Sequence, residues 1–362
     1  MDISLLPDPA LDAETRLKTA LSAASDGNLN WAALDRLAKT VSAPLDDEVT
    51  AQTFSYLLPA SKLRGPGDKP ALADVAVPLR YFVWPGPADK TIICLGGIAN
   101  SGRRFDFLGK ALSGRYQVVA LDWAGRGESG WLPEMDDYHA EGHAWQVEQL
   151  IDHLGVTPFA IVGSSLGGAT LLHLHQKRPE LVRRVIFNDF GPFIPKERRK
   201  RRSIAVAKHY VFSEPSSIFR RMGAAEKNSG PVGDAVLLHH AYHLTRWSDV
   251  DNGRVYRHDL RALLAFRQQA ETDLRLWHLW SNFDVPLLVL HGSLSDSRSR
   301  ATIDEMKSAR DFDLTTIVGA GHTPSLTSGQ EHELILSWLG GQRSITKSVE
   351  LQVTKRHLFV DR

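Results

Sequence analysis

The chain has 362 residues, 43% of them hydrophobic and 23% charged. It is therefore too apolar for a disordered chain and long enough for one large α/β domain with an insertion, or for two domains. Its formal net charge of +1 gives no ground for a nucleic-acid partner or an anionic membrane surface. The single cysteine, Cys94, lies in the apolar run "TIICLGG", which excludes an internal disulfide and reads as a small buried thiol.

In chain order, "MDISLLPDPALDAETRLK" has neither a basic leader region nor a continuous apolar core. No apolar run elsewhere is long enough to span a bilayer, so a cytoplasmic protein without a membrane partner is expected. Residues 1–65 read as a helical arm and linker. "DAETRLKTALSAASDG" is rich in helix formers, and "NWAALDRLAKTV" sets Trp31, Leu34, Leu37 and Val41 at helical spacing. Such a face needs cover, from the body of the protein or from another subunit in a homo-oligomer. "LRGPGDKPALADVAVP" then interrupts regular structure.

From residue 66 strand-like runs alternate with helical stretches: "LRYFVWP", "TIICLGG", "YQVVALDW", "PFAIVGSS", "RRVIFNDF", "VPLLVLHG" and "LTTIVGAG". Short apolar runs separated by helices predict an α/β fold, a mostly parallel sheet covered on both faces. The core is expected at 66–194 and 283–345. A mostly helical cap is expected at 195–282, and a tail at 346–362.

Within "FAIVGSSLGGAT" a strand runs into a helix through G-x-S-x-G, with Gly163, Gly167 and Gly168 around Ser165. A backbone that doubles back this sharply needs small residues at the crossing, and the geometry projects the central serine as a nucleophile. A serine nucleophile needs a base, and the base needs an acid to hold its tautomer. "VPLLVLHGSLSD" places Asp296 after one late strand and "LTTIVGAGHTPSL" places His322 after the next, giving the order Ser165, Asp296, His322. Asp189, in "NDFGP" after the preceding strand, is the second candidate for the acid. The backbone N–H groups of Leu166 and Ile98 are the expected oxyanion donors.

The motifs "LGGIANSGRRF", "DWAGRGES", "GSSLGG", "NDFGP", "HGSLSD" and "GAGHTPSL", in this order and spacing, resemble the α/β-hydrolase superfamily, especially its capped esterase, lactonase and C–C-hydrolase members. The resemblance covers roughly residues 75–340. It implies an eight-stranded sheet, helices on both faces and a site between sheet and cap. Gly96-Gly97 stands where relatives commonly carry His-Gly. The expected function is a serine hydrolase of an ester or lactone that works on a small molecule without cofactor or metal. Cleavage of a C–C bond in a dioxo acid, acyl transfer and a non-enzymatic binding role are the alternatives.

Arg103 and Trp123 are candidate substrate contacts. "PKERRKRR" puts six basic residues among the seven from Lys196 to Arg202; it reads as a solvated helical face, with attraction of an acidic substrate as the sharper reading. Tyr242, Trp247, Trp277 and Trp280 are core rings or walls of an apolar site. His239, His240 and His243 lack an acidic or cysteine partner at close spacing, so no zinc site is expected.

Overall fold

The computed structural model describes residues 30–59, 74–226, 229–342 and 348–351. The first 29 residues of the expected arm, most of the linker and the end of the tail lie outside them. The strands are β1 (Thr50–Leu58), β2 (Val75–Trp84), β3 (Thr91–Leu95), β4 (Gln117–Leu121), β5 (Ala160–Ser164), β6 (Val185–Asn188), β7 (Phe193–Ile194), β8 (Val211–Phe212), β9 (Thr245–Ser248), β10 (Gly253–Tyr256), β11 (Leu274–Arg275), β12 (Leu287–Gly292), β13 (Asp313–Val318) and β14 (Ser348–Glu350). The helices are α1 (Trp31–Asp46), α2 (Asp106–Leu112), α3 (Ala140–Leu154), α4 (Leu166–Lys177), α5 (Lys196–Val206), α6 (Pro215–Glu226), α7 (Asp234–His243), α8 (Leu260–Gln269), α9 (Trp277–Trp280), α10 (Arg300–Ala309) and α11 (Gly329–Leu339).

Among these residues a nine-stranded sheet runs in the order β1-β2-β4-β3-β5-β6-β12-β13-β14. From β4 to β14 every pairing is parallel; β2 meets β1 and β4 antiparallel. The central strands bury both faces, which is why they read as unbroken apolar runs: β3, β5 and β6 are buried at every position. Two apolar layers result, one built on Ile93, Leu121, Ile161 and Phe187, the other on Cys94, Val118, Val162 and Leu290. No helix among the described residues is long and apolar enough to cross a membrane.

Two strands lie where none was expected. β1 falls in the stretch read as helical arm, yet Phe54, Tyr56 and Leu58 are buried in strict alternation and the whole strand pairs with β2. That period of two belongs to a half-buried edge strand. β14, in the expected tail, adds to β13 at the other edge. The sheet is thus wider than the predicted eight strands.

The insertion between β6 and β12 is not purely helical either. α5 to α9 are joined by a three-stranded antiparallel sheet, β8-β10-β9. Its stem is closed where β7 pairs with β11, Ile194 opposite Leu274. α1 packs on this insertion: Leu34 is buried in one cluster with Phe212, Ile218, Phe219 and Leu238, with Trp31, Leu37 and Val41 packed against it. The helical stripe read from the sequence is therefore covered within the chain, and Arg254 adds an ion pair from β10 to Asp35 at 2.6 Å.

Candidate active site

Ser165 sits between the end of β5 and the start of α4 with φ 50° and ψ −104°, a left-handed conformation that costs a non-glycine residue about 1–3 kcal/mol. The neighbouring glycines make the turn sterically possible. A Cβ on Gly167 would lie 2.4 Å from the Leu95 carbonyl oxygen, and one on Gly168 would lie 2.3 Å from the Phe190 ring. Ser164 points the other way and is buried, its hydroxyl accepting a hydrogen bond from Asn188 Nδ2 at 3.0 Å.

His322 follows β13, and its Nε2 lies 3.0 Å from Ser165 Oγ. Its Nδ1 lies 2.8 Å from Asp189 Oδ2. Asp189 directly follows β6, the neighbour of the serine strand, and is itself held at φ 53°. Its fully buried carboxylate also accepts bonds from Ser295 Oγ, Ser297 Oγ, His291 Nδ1, Gly292 N and the guanidinium of Arg298. Burial pushes this carboxyl up, but Arg298 and the His291 and His322 donors outweigh it and hold it well below the ordinary value. The acid stays ionised. For His322 burial wins: its pKa is pushed down to about 4 despite the bond to Asp189, with Arg198 and Arg202 adding to the effect. The ring is neutral at pH 7. Because Nδ1 faces an ionised carboxylate, it carries the proton and leaves Nε2 a lone pair for the serine hydroxyl.

The expected acid, Asp296, does not reach His322. Ser295 and Ser297 both turn toward Asp189, so the residue between them faces the opposite side. There Arg198 Nε and Arg201 Nη2 hold Asp296 at 2.8 and 2.6 Å, with its side chain 53% exposed. The second candidate, Asp189, occupies the position beside the histidine.

Ile98 and Leu166 border the same cavity as Ser165 and His322. Neither amide N–H has a hydrogen-bond acceptor among the described residues. The turn carrying Ile98 is pinned from beneath: Trp123 Nε1 donates to the Gly96 carbonyl at 3.0 Å, and Arg126 Nε donates to the Ile98 carbonyl at 3.0 Å. Trp123 is fully buried and does not border the cavity, so it supports the turn and is no substrate contact. Arg103 is corrected likewise. It is tied to Asp106 and Asp46 and lies over Phe82, away from the cavity. Asp122 accepts the amides of Gly102 and Glu128 and fixes its own loop.

The rings beside Ser165 are Tyr138, Phe190 and Phe266. None of the four aromatic residues expected from the insertion borders that cavity; Trp280 is buried in the core, with Nε1 donating to the Met306 carbonyl. The basic run is solvated on one side only, where Lys196 and Arg201 are exposed. Arg198 and Arg199 are only 7% and 8% exposed, and both border the cavity together with Arg202. Among the described residues, the side chains best able to hold a cation are His239, His243 and Asp106, with one ligand atom each within 4.8 Å of the others. This acidic partner comes from α2, far from the histidines in the chain, so no local spacing reveals it. Arg103 already lies against the same carboxylate.

Residues 90–202 match the family model of the alpha/beta hydrolase fold. The chain is 26% identical over 258 residues to a 3-hydroxybutyrate-oligomer hydrolase of Cupriavidus necator, covering 68% of this chain and 87% of that protein. It is 27% identical over 199 residues to the lipase LipV of Mycobacterium tuberculosis, covering 53% of this chain and 70% of the lipase. A hydrolase structure from Rickettsia typhi superposes with a TM-score of 0.71 at 22% identity, covering 81% of this chain and 100% of that one. The strand order, the glycine-framed serine and these likenesses together show that the chain has the α/β-hydrolase fold.

Proposed function

We propose that this protein hydrolyses a carboxylic ester, open-chain or lactone, through an acyl-enzyme on Ser165. The observation that carries the reading is the unbroken line from Ser165 Oγ to His322 Nε2 and from His322 Nδ1 to Asp189. Ser165 attacks the acyl carbon while neutral His322 takes its proton at Nε2. Asp189 fixes the tautomer and stabilises the cationic ring. The N–H groups of Ile98 and Leu166 receive the negative charge on the carbonyl oxygen. Collapse of this intermediate breaks the bond to the alcohol oxygen, which leaves with the proton from His322. Water then gives a proton to His322 and its oxygen to the acyl carbon, and release of the acid restores Ser165.

The names of the relatives, a 3-hydroxybutyrate-oligomer hydrolase and a lipase, support ester chemistry. Hydrolysis of a p-nitrophenyl ester by the wild type and by Ser165→Ala tests the reading. Turnover should be lost in the variant; equal rates would refute it.

A further inference from the structure

Beside the cavity that holds Ser165 lies a second chamber of ≈ 140 Å³, and Ala99, Asn100, Arg202 and Thr323 border both. Two of these residues directly follow groups of the reaction centre, Ile98 and His322. The chamber brings together three guanidinium groups from separate elements: Arg104 from the turn after β3, Arg202 from α5 and Arg221 from α6. No aspartate or glutamate is among its described lining residues.

Each arginine can be followed to its partners. Arg104 donates to His240 Nδ1 at 3.0 Å and to Ser229 Oγ at 2.6 Å, both neutral. Arg221 donates to the Ala205 carbonyl at 3.0 Å and lies over the Tyr210 ring at 4.2 Å. Arg202 has neither a hydrogen bond nor an ion pair among the described residues. The carboxylates whose charge reaches this region are committed elsewhere. Asp296 is clamped by Arg198 and Arg201, and Glu331 accepts the amides of Leu326, Thr327 and Ser328. On this helix Asp296 thus neutralises Arg198 and Arg201, Arg199 donates to the Thr272 carbonyl, and Arg202 is left bare among the described residues. His240, almost fully buried in the chamber wall, adds an orphan donor: Arg104 can only donate, so Nδ1 accepts, the proton sits on Nε2, and Nε2 has no partner.

Like charges gathered in a partly dry chamber repel one another, and burial with the Arg202 charge pushes Arg104 down to about 10. Such an arrangement is costly unless an anion completes it. The guanidinium fork matches the paired oxygens of a carboxylate or a phosphate, while Val206, Met222 and Leu237 supply apolar wall for a hydrocarbon segment.

We infer that the second chamber is an anion subsite centred on Arg202, and that the substrates are esters whose non-reacting end carries an oxyanion, a carboxylate or a phosphate. The inference rests on the ester-hydrolase reading for the reaction but not for the binding. Arg202 is a specificity residue here, and the reacting bond stays at Ser165.

The test compares kcat/KM for mono-p-nitrophenyl glutarate and its methyl ester, which differ only in the free carboxylate, in wild type, Arg202→Gln and Arg202→Lys. The wild type should prefer the free acid by about tenfold or more, the size of one charge-assisted hydrogen bond. Arg202→Gln should bring the ratio near one, Arg202→Lys should keep most of it, and added salt should shrink it. A wild-type ratio near one, or a ratio that survives Arg202→Gln, would overturn the inference. If neither ester turns over, the hydrolase reading fails by itself, and calorimetry with glutarate and with inorganic phosphate on Ser165→Ala decides the subsite. Binding of either anion, weakened about tenfold when Arg202→Gln is added, sustains it and identifies the oxyanion class. No binding, or equal binding in both variants, overturns it. Because Arg202 has no structural partner, Arg202→Gln should melt no lower than the wild type; a clear loss of stability would mark the arginine as a packing residue and also count against the subsite.

Discussion

Asp189 Oδ2 lies 2.8 Å from His322 Nδ1, although 133 residues separate them in the chain. The sheet makes this contact: β6 and β13 flank β12, and each residue leaves the end of its strand on the same side. Arg298 and the hydroxyls of Ser295 and Ser297 surround the carboxylate, so Asp189 serves both as the partner of His322 and as the polar centre of the loop after β12.

Asp189→Asn should therefore lower kcat by about 10³–10⁴-fold, because the amide no longer selects the histidine tautomer that accepts from serine. It should also cost about 3–5 kcal/mol of stability, since Arg298 keeps its buried charge without a counter-ion. Asp296→Asn should leave turnover close to wild type and loosen only the attachment of α5. Steady-state rates for both variants, corrected for the folded fraction by circular dichroism, check the ranking.

For a neutral ester, kcat/KM should stay level through the ordinary histidine range and reach half its plateau at about 4, the depressed value for His322. The sign follows from the role. Below that pH the ring is protonated and cannot take the serine proton, so the rate falls as pH falls. Arg202→Gln removes a neighbouring cation that helps hold the ring neutral, and the midpoint should move upward. An acid limb at about 6.5 in the wild type, the free-histidine value, would contradict the environment described for His322.

Leu34→Ala on α1 should cost about 2–4 kcal/mol, the usual loss for a buried leucine, because Leu34 is packed among Ile218, Phe219 and Leu238 of the insertion. Thermal melting of the variant reads the loss. The rate per folded molecule should be unchanged, since no residue of α1 borders the cavity of Ser165.

Legibility from sequence followed burial and locality. All seven strand runs read from the sequence are strands, because burial on both faces writes itself as an unbroken apolar run. β1 shows burial on one face only and was masked by surrounding helix formers. The serine turn was readable because its glycines are adjacent in the chain and each is demanded by a close approach. The acid was harder. Asp189 and Asp296 both follow strands, and what separates them is which way Ser295 and Ser297 turn, a fact of loop packing. The arginines of α5 look solvated when counted as charges. The burial of Arg198 and Arg199 depends on Asp296 and on the cavity, which the sequence does not bring together, while Arg201 stays exposed.

The central claim is that Ser165 is the nucleophile, and covalent labelling tests it most directly. The protein is treated with a fluorophosphonate, digested, and the modified peptide sequenced by mass spectrometry. The label should sit on Ser165, be absent from Ser165→Ala and persist in Ser164→Ala, whose hydroxyl only accepts from Asn188. A label on Ser164, or no label on a folded wild-type protein, would contradict the account.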